Sequence, residues 1–267
     1  MTLFHLFLVA VIQGITEFLP ISSSGHLILL PNLTGMEDQG LVIDVAVHVG
    51  TLFAVVIYFW ADVKSAILGL PRLARGKTDT PGAKLAFLLI IATIPVVIAG
   101  LAIKLSGLDE AMRSTAVIGW TMLIFGIVLY WADQKGAETR KAEDWSLKDA
   151  IIMGLWQMIA LIPGTSRSGI TITGARQLGY SRSDGSKLAM LMSIPTIAMA
   201  GLLLALDVAS HADMAAAKDG AIAAAFAFVS ALAALVLMFR LMKTVSFTPY
   251  VIYRVVLGVI LLVIAYS

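Results

Sequence analysis

Arg167 stands in the polar run Pro163-Gly164-Thr165-Ser166-Arg167-Ser168-Gly169-Ile170-Thr171, between the apolar stretches Trp156–Ile162 and Ile170–Leu178. A guanidinium at bilayer depth costs roughly a few kcal/mol or more and is rarely there without a partner. Glycines beside hydroxyls and an arginine suggest an unwound turn whose donors bind an anion such as phosphate. Gly164, Ser166, Arg167, Ser168 and Thr171 are the candidate phosphate-binding residues. A second polar run, Ser22-Ser23-Ser24-Gly25-His26, follows Gln13 and Glu17, which are four apart and share one helical face. Carboxylate, hydroxyls, imidazole and guanidinium together suit phosphoryl transfer, which needs a cationic clamp, a nucleophile and a proton shuttle. Glu17, Ser23, His26 and Arg167 are therefore the candidate catalytic residues, with Ser22 and Ser24 as further phosphate ligands. Glu17 could also hold a divalent cation, since Mg²⁺ commonly takes only one or two carboxylates plus substrate oxygens.

Each of these residues has a plainer reading. Ser/Gly runs often only let helices pack closely. Arg167 could form a purely structural ion pair with Glu17, and His26 could be a satisfied polar residue at a helix end. Their joint occurrence at matching places in the chain favours a site. Asp44 and His48, at i and i+4 on the next apolar segment, can pair and face the interior, either behind the site or as a buried polar pair. Arg254 is expected to snorkel or to pair with Asp44.

These groups must be positioned within a membrane. Of the 267 residues 59% are hydrophobic and 13% charged, against about a quarter charged for a soluble domain. Apolar blocks as long as a bilayer crossing recur along the chain, so the fold class is an all-α polytopic membrane protein. The chain has no cysteine, which excludes disulfides and thiolate chemistry. The first twenty residues lack a basic start and carry Gln13 and Glu17, unlike a cleaved signal peptide.

Residues 1–33 read as a re-entrant helical hairpin, followed by spans at 41–60, 85–103 and 116–132, with 61–84 as a polar loop and 133–149 as a solvated charged segment. Residues 150–179 repeat the hairpin, and spans follow at 188–206, 221–239 and 249–266. A shift of 144 lays Gln13 on Gln157, Ile15 on Ile159 and Ser22–Gly25 on Ser166–Gly169. The expected architecture is one membrane domain of two repeats, 1–132 and 133–267, each a re-entrant hairpin plus three spans. Three spans is an odd number, so the second repeat enters from the opposite face, as an inverted-topology repeat.

Lysine and arginine placement agrees with this topology. The segments 61–84, 133–149, 176–187 and 240–248 hold fourteen basic residues, against Lys104, Arg113 and Lys218 on the other side. The positive-inside rule makes the basic side cytoplasmic, with both termini outside.

The two motifs, Gln13-Gly14-Ile15-Thr16-Glu17-Phe18-Leu19-Pro20-Ile21-Ser22-Ser23-Ser24-Gly25-His26 and Pro163 to Thr171, together with Phe247 to Arg254, make the chain resemble the undecaprenyl-diphosphate phosphatases. This is the bacitracin-resistance family of bacterial inner membranes. The resemblance covers essentially the whole chain. It implies hydrolysis of undecaprenyl diphosphate to the monophosphate and phosphate, at a site opening to the outer face and dependent on Mg²⁺ or Ca²⁺. It also implies roles for Glu17 in metal binding or acid/base chemistry, for Ser23 as nucleophile and for His26 as acid/base or nucleophile. Arg167, Ser166 and Thr171 would bind phosphate. The first motif position, Glu or Gln in the family, is Gln13 here and supplies no charge to a metal, so Asp44 is the candidate second carboxylate. Partners would be the lipid substrate and membrane lipids, with no nucleic acid. Small-residue faces at Gly100–Ala102 and Ala221–Ala227 allow contacts within a chain or in a homodimer. The rival reading is a secondary transporter or flippase for an anionic or lipid-phosphate substrate.

Overall fold

A computed structural model describes residues 1–35, 38–209, 214–242 and 244–267. Among the basic residues counted above, Lys243 lies outside the described set. The described residues are helical, with no strand and a single isolated bridge between Arg140 and Tyr180. In order the helices are α1 (Leu3–Phe18), α2 (Ser23–Thr34), α3 (Gly40–Tyr58), α4 (Trp60–Leu73), α5 (Pro81–Ser106), the single turn α6 (Leu108–Ala111), α7 (Thr115–Lys135), α8 (Leu147–Ile159), α9 (Arg167–Gln177), α10 (Arg182–Ala209), α11 (Met214–Leu241) and α12 (Thr248–Tyr266).

Six of them are long and apolar enough to cross a membrane: α3, α5, α7, α10, α11 and α12. The chain is a multi-pass membrane protein. The other large helices are too short for a bilayer core of about 30 Å at about 1.5 Å per residue. α1 has 16 residues and α2 12; α8 has 13 and α9 11. They form two helix–break–helix units, α1–α2 and α8–α9, each bent at a polar turn.

The segment expected as a loop at 61–84 differs. Residues 60–73 form α4, with Pro71 inside its last turn, where the chain is about to leave the helix in any case. This helix lies along α5, and Gly69 and Gly82 bring the two backbones together: a Cβ on either would strike the other helix.

Small residues also set the remaining crossings, as expected where lipid tails are as apolar as the side chains. α12 packs on α7, where Gly119 and Gly258 face each other and a Cβ on Gly258 would sit 2.9 Å from the Gly119 carbonyl oxygen. Ala223 and Ala227 of α11 are buried with Val9 and Ala10 of α1 and Val47 of α3, while Ala221 and Ala225 are exposed. The main apolar cluster gathers Phe18, Leu129, Ile172, Met190, Leu235 and Phe247, contributed by α1, α7, α9, α10, α11 and the start of α12.

At one end of the bundle two ionic groups fasten the start of the second unit. Asp149, in the first turn of α8, accepts both guanidinium nitrogens of Arg140 at 3.1 and 2.5 Å, together with the hydroxyls of Ser146 and Tyr180. Burial alone would raise its pKa, but these donors outweigh burial and hold the carboxyl down at about 2. Tyr180 is pushed up, by burial first and by its bond to Asp149. Beside this group, Asp133 pairs with Arg182 at 2.7 Å and with Arg176 at 3.4 Å.

Candidate active site

Both breaks use the same backbone. Ser22 (φ 74°, ψ 94°) and Ser166 (φ 71°, ψ 110°) are the non-glycine residues with positive φ among the described residues. Such conformations cost about 1–3 kcal/mol each and persist only where surrounding contacts enforce them. Each serine caps the helix that follows it. Ser22 Oγ accepts the Gly25 N–H at 3.3 Å, and Ser166 Oγ accepts that of Gly169 at 3.1 Å. Each also lies beside the serine two residues on, Ser22 with Ser24 at 3.3 Å and Ser166 with Ser168 at 3.2 Å. α2 and α9 thus begin at Ser23 and Arg167, with uncompensated N–H groups and the positive end of the helix dipole at the break.

The breaks meet at Glu17, in the last turn of α1 and buried. Arg167 Nη2 donates to its Oε1 at 2.8 Å, and Ser23 Oγ to its Oε2 at 2.7 Å. Gln13 Nε2 donates to the same Oε2 at 2.9 Å, as the four-residue spacing requires. His48 of α3 brings Nε2 to 3.9 Å from Oε2. A carboxylate in a membrane interior thereby has a guanidinium, a hydroxyl and an amide on it. Ser168 Oγ donates across the breaks to the Leu19 carbonyl at 2.9 Å.

Arg254 of α12 is fully buried and clamps both turns through their carbonyls. Its Nη2 donates to Thr165 at 2.8 Å, Gly164 at 3.2 Å and Thr121 at 3.3 Å, and its Nη1 reaches Pro20 at 3.5 Å. It neither snorkels nor pairs with Asp44, because the bent turns leave carbonyls unsatisfied and an arginine fork can collect them. Thr121 adds a bond to the Pro163 carbonyl at 2.6 Å.

Among the sequence candidates, the structure gathers Glu17, Gln13, Ser23 and Arg167. Ser22, Ser166, Ser168 and Gly164 shape the turns. Gly164 has φ +85°, and a Cβ there would meet Thr121 and the backbone of Ile118. Ser24 is exposed beside the break. Thr171 is buried with its hydroxyl bonded to the Arg167 and Ser168 carbonyls at 2.7 and 3.1 Å, so it supports the start of α9 and does not reach Glu17. His26, one turn beyond Ser23, bonds Tyr253.

Asp44 differs from expectation. Its carboxylate accepts from Gln39 at 2.8 Å, while His48 Nδ1 bonds the Asp44 backbone carbonyl at 2.7 Å, as an i−4 carbonyl lies closer to the ring than the side chain does. The two side chains therefore share no hydrogen bond, and Nε2 is the histidine atom that faces Glu17. Tyr253 and Arg254 were not readable as site neighbours, whereas His48, expected behind the site or in a buried polar pair, does face Glu17. The one available signal was that polar residues at membrane depth face the protein interior.

Among the described residues no three His, Asp or Glu side chains converge as a metal site. A hard divalent ion nevertheless fits the donors present. Gln13 Oε1 is buried with no hydrogen-bond partner, on the same face as the Glu17 carboxylate. Two protein oxygens of this kind suit an ion whose shell is completed by substrate oxygens.

A family model described as Bacitracin resistance protein BacA matches residues 6–260. The chain belongs to this family. Within it, proteins named undecaprenyl-diphosphatase from Dinoroseobacter shibae and Ruegeria pomeroyi are 72% and 69% identical over 267 residues, covering all of both chains. One of the same name from Maricaulis maris is 44% identical over 266 residues, covering 98% of this chain and 99% of its own. The family resemblance drawn from the two motifs is shown over the whole chain.

Proposed function

We propose that this chain is an integral membrane hydrolase that converts undecaprenyl diphosphate to undecaprenyl phosphate and inorganic phosphate. This would recycle the lipid carrier for peptidoglycan synthesis and so confer bacitracin resistance. The observation that carries this reading is the convergence of Ser23 and Arg167 on the two oxygens of Glu17. It joins a nucleophile, a base and a cation at the N-termini of two helices. A binding site for transport needs the cation and the N–H groups but has no use for a hydroxyl aimed at a carboxylate.

In the reaction, Ser23 Oγ attacks the terminal phosphorus and its proton passes to Glu17 Oε2. The bond from phosphorus to the bridging oxygen breaks, and the electron pair leaves with undecaprenyl phosphate. As Glu17 is neutralised its hold on Arg167 weakens, and the guanidinium turns to the phosphoryl oxygens where charge develops. His26 Nε2 then takes a proton from water, which attacks the phosphoserine as the Ser23–phosphorus bond breaks. The proton on Glu17 returns to Ser23, and that on His26 passes to the inorganic phosphate released. Glu17 and Gln13 Oε1 are the residues that would hold Mg²⁺ or Ca²⁺, which supplies charge neutralisation on the diphosphate. The prenyl tail would lie in the apolar groove of about 340 Å³ lined by Ile15, Leu19, Leu237, Met238 and Tyr250.

The lysine and arginine distribution supports an inner-membrane orientation with both termini periplasmic and the site opening outward. The shared conformation of the two breaks supports an inverted-topology repeat.

The test is phosphate release from a C55 or shorter prenyl diphosphate by detergent-purified protein with Mg²⁺. Release by wild type that vanishes in Glu17→Ala and Arg167→Ala is expected, whereas no release by wild type would favour the transporter reading. Trapping a phospho-enzyme identifies the nucleophile, and its persistence in Ser23→Ala would exclude that serine. Asp44→Asn should raise the Mg²⁺ concentration for half activity if Asp44 is the second carboxylate, and an unchanged requirement would remove it; Gln13→Glu should lower that concentration.

A further inference from the structure

His26 has both ring nitrogens engaged. Nδ1 lies 2.6 Å from the Ser22 carbonyl oxygen, and Nε2 lies 2.5 Å from the Tyr253 hydroxyl. A carbonyl has no proton to give, so Nδ1 must carry one. The neutral ring then has a bare lone pair at Nε2, and the phenol is the donor. The two rings are nearly parallel, 7° apart with centroids at 5.6 Å. Tyr253 comes from α12, the helix whose next residue, Arg254, clamps both turns, so the phenol is fixed relative to the site and not to a loop. Within α2, His26 is three residues from Ser23 and shares its side of the helix. Tyr253 itself is 43% exposed.

We propose that Tyr253 is a positioning residue of the phosphatase reaction. Through its bond to Nε2, and opposite the Ser22 carbonyl, it locks His26 in the Nδ1–H tautomer with an unprotonated Nε2 held beside the first break. The two-ended grip fixes the tautomer, the plane and the reach of the imidazole before substrate arrives. Substrate then has only to displace the phenol from Nε2 to meet a neutral base of fixed tautomer and plane, so that reorientation of the ring is not part of the activation barrier. This inference rests on the phosphatase reading above and on a proton-transfer role for His26.

The experiment is a double-mutant cycle with Tyr253→Phe, His26→Ala and the double variant, assayed on a prenyl diphosphate in detergent. Tyr253→Phe should lower kcat by about 10-fold with KM within about 2-fold of wild type, because the phenol orients a catalytic group and does not bind substrate. The double variant should be no slower than His26→Ala, since a residue acting through the imidazole has nothing left to act on. In ¹⁵N-histidine spectra, His26 should show a single Nδ1–H tautomer in wild type and a mixture in Tyr253→Phe. Wild-type kcat in Tyr253→Phe, a multiplicative loss in the double variant, or an unchanged His26 spectrum would each overturn the proposal. Absence of phosphate release from wild type is a separate result and would refute the phosphatase reading itself.

Discussion

The two breaks have the same backbone and opposite side chains. At both, a serine at positive φ caps the following helix through the N–H of a glycine three residues on. At the position after that serine one carries Ser23 and the other Arg167, and both residues reach the same carboxylate. Three more positions related by the shift of 144 differ in kind: Glu17 against Leu161, His26 against Ile170, and Pro20 against Gly164. The first break holds every group able to move a proton, and the second holds the permanent charge. One turn geometry therefore does two jobs: it aims two helix N-termini at one point, and the residue placed just after each cap decides what arrives there. Neither unit would be a site alone. A carboxylate without Arg167 would be a buried unpaired charge, and an arginine turn without Glu17 would bind an anion and leave it unchanged.

Removing the charge of the second break is the largest perturbation of this division. Arg167→Ala leaves Glu17 buried with only hydroxyl, amide and imidazole neighbours, and takes away the phosphate clamp. Activity should fall by about 10³-fold or more, and stability by about 3–5 kcal/mol, the usual cost of orphaning one partner of a buried pair. Arg167→Lys keeps the charge but not the fork, and should recover stability more fully than activity. Equal recovery of both would mean that charge alone, without the geometry of the turn, makes the second break useful.

Arg254 offers a way to disturb both breaks at once without touching either set of reacting groups. It donates to Pro20 on one side and to Gly164 and Thr165 on the other. Arg254→Lys offers one ammonium for carbonyls that a planar fork now collects, so the turns should shift relative to each other. A loss of about 10- to 100-fold in kcat is expected, since displacements near 1 Å in a preorganised site carry costs of that order. Normal kcat with lower thermal stability would show that the two turns hold each other without the clamp.

Ser168→Ala is a milder version of the same test. It removes the hydroxyl bond to Leu19 that stitches the breaks together. The loss of one such bond is worth about 1 kcal/mol, with activity falling only a few-fold. Ser24→Ala, at the equivalent position of the first break but exposed, should change stability less.

Much of this arrangement can be read from the sequence. The spans follow from hydropathy, because a bilayer demands apolar stretches of fixed length. The breaks stand out for the same reason, as polar residues where the solvent is hydrocarbon. Even the Glu17–Arg167 pairing is accessible, since two opposite charges at membrane depth have few alternatives. What cannot be read is set by long-range carbonyl geometry. Arg254 binds turns 89, 90 and 234 residues away in sequence, and backbone acceptors leave no mark in the amino-acid string. The histidine carried to Glu17 on α3 is ambiguous for a related reason. His48 lies one turn from Asp44, and the spacing predicts a side-chain pair, whereas the ring instead takes the backbone carbonyl and frees Nε2 for Glu17. Helix α4 was hidden by its composition, because Pro71 and basic residues resemble a loop unless the helix is seen packed on α5.

The smallest expected effect on activity lies outside both breaks and isolates the scaffold from the chemistry. Asp149 anchors the start of α8 through Arg140, Ser146 and Tyr180, and these donors hold its pKa at about 2. A carboxyl whose folded pKa lies below its ordinary value of about 3.9 stabilises the fold fully above that value and loses the contribution as pH falls through the folded one. Asp149→Asn should therefore melt at a lower temperature than wild type at pH 7, and the gap should stay constant down to about pH 5. It should narrow steadily between about pH 4 and pH 2, where the wild-type carboxylate is itself taking up protons. Turnover at neutral pH and moderate temperature should be close to wild type, because no bond from Asp149 reaches Glu17, Ser23 or Arg167. A marked loss of turnover in this variant would mean that the seating of α8 at its far end sets the position of Arg167, and that the second break is less self-contained than its serine cap and arginine clamp imply.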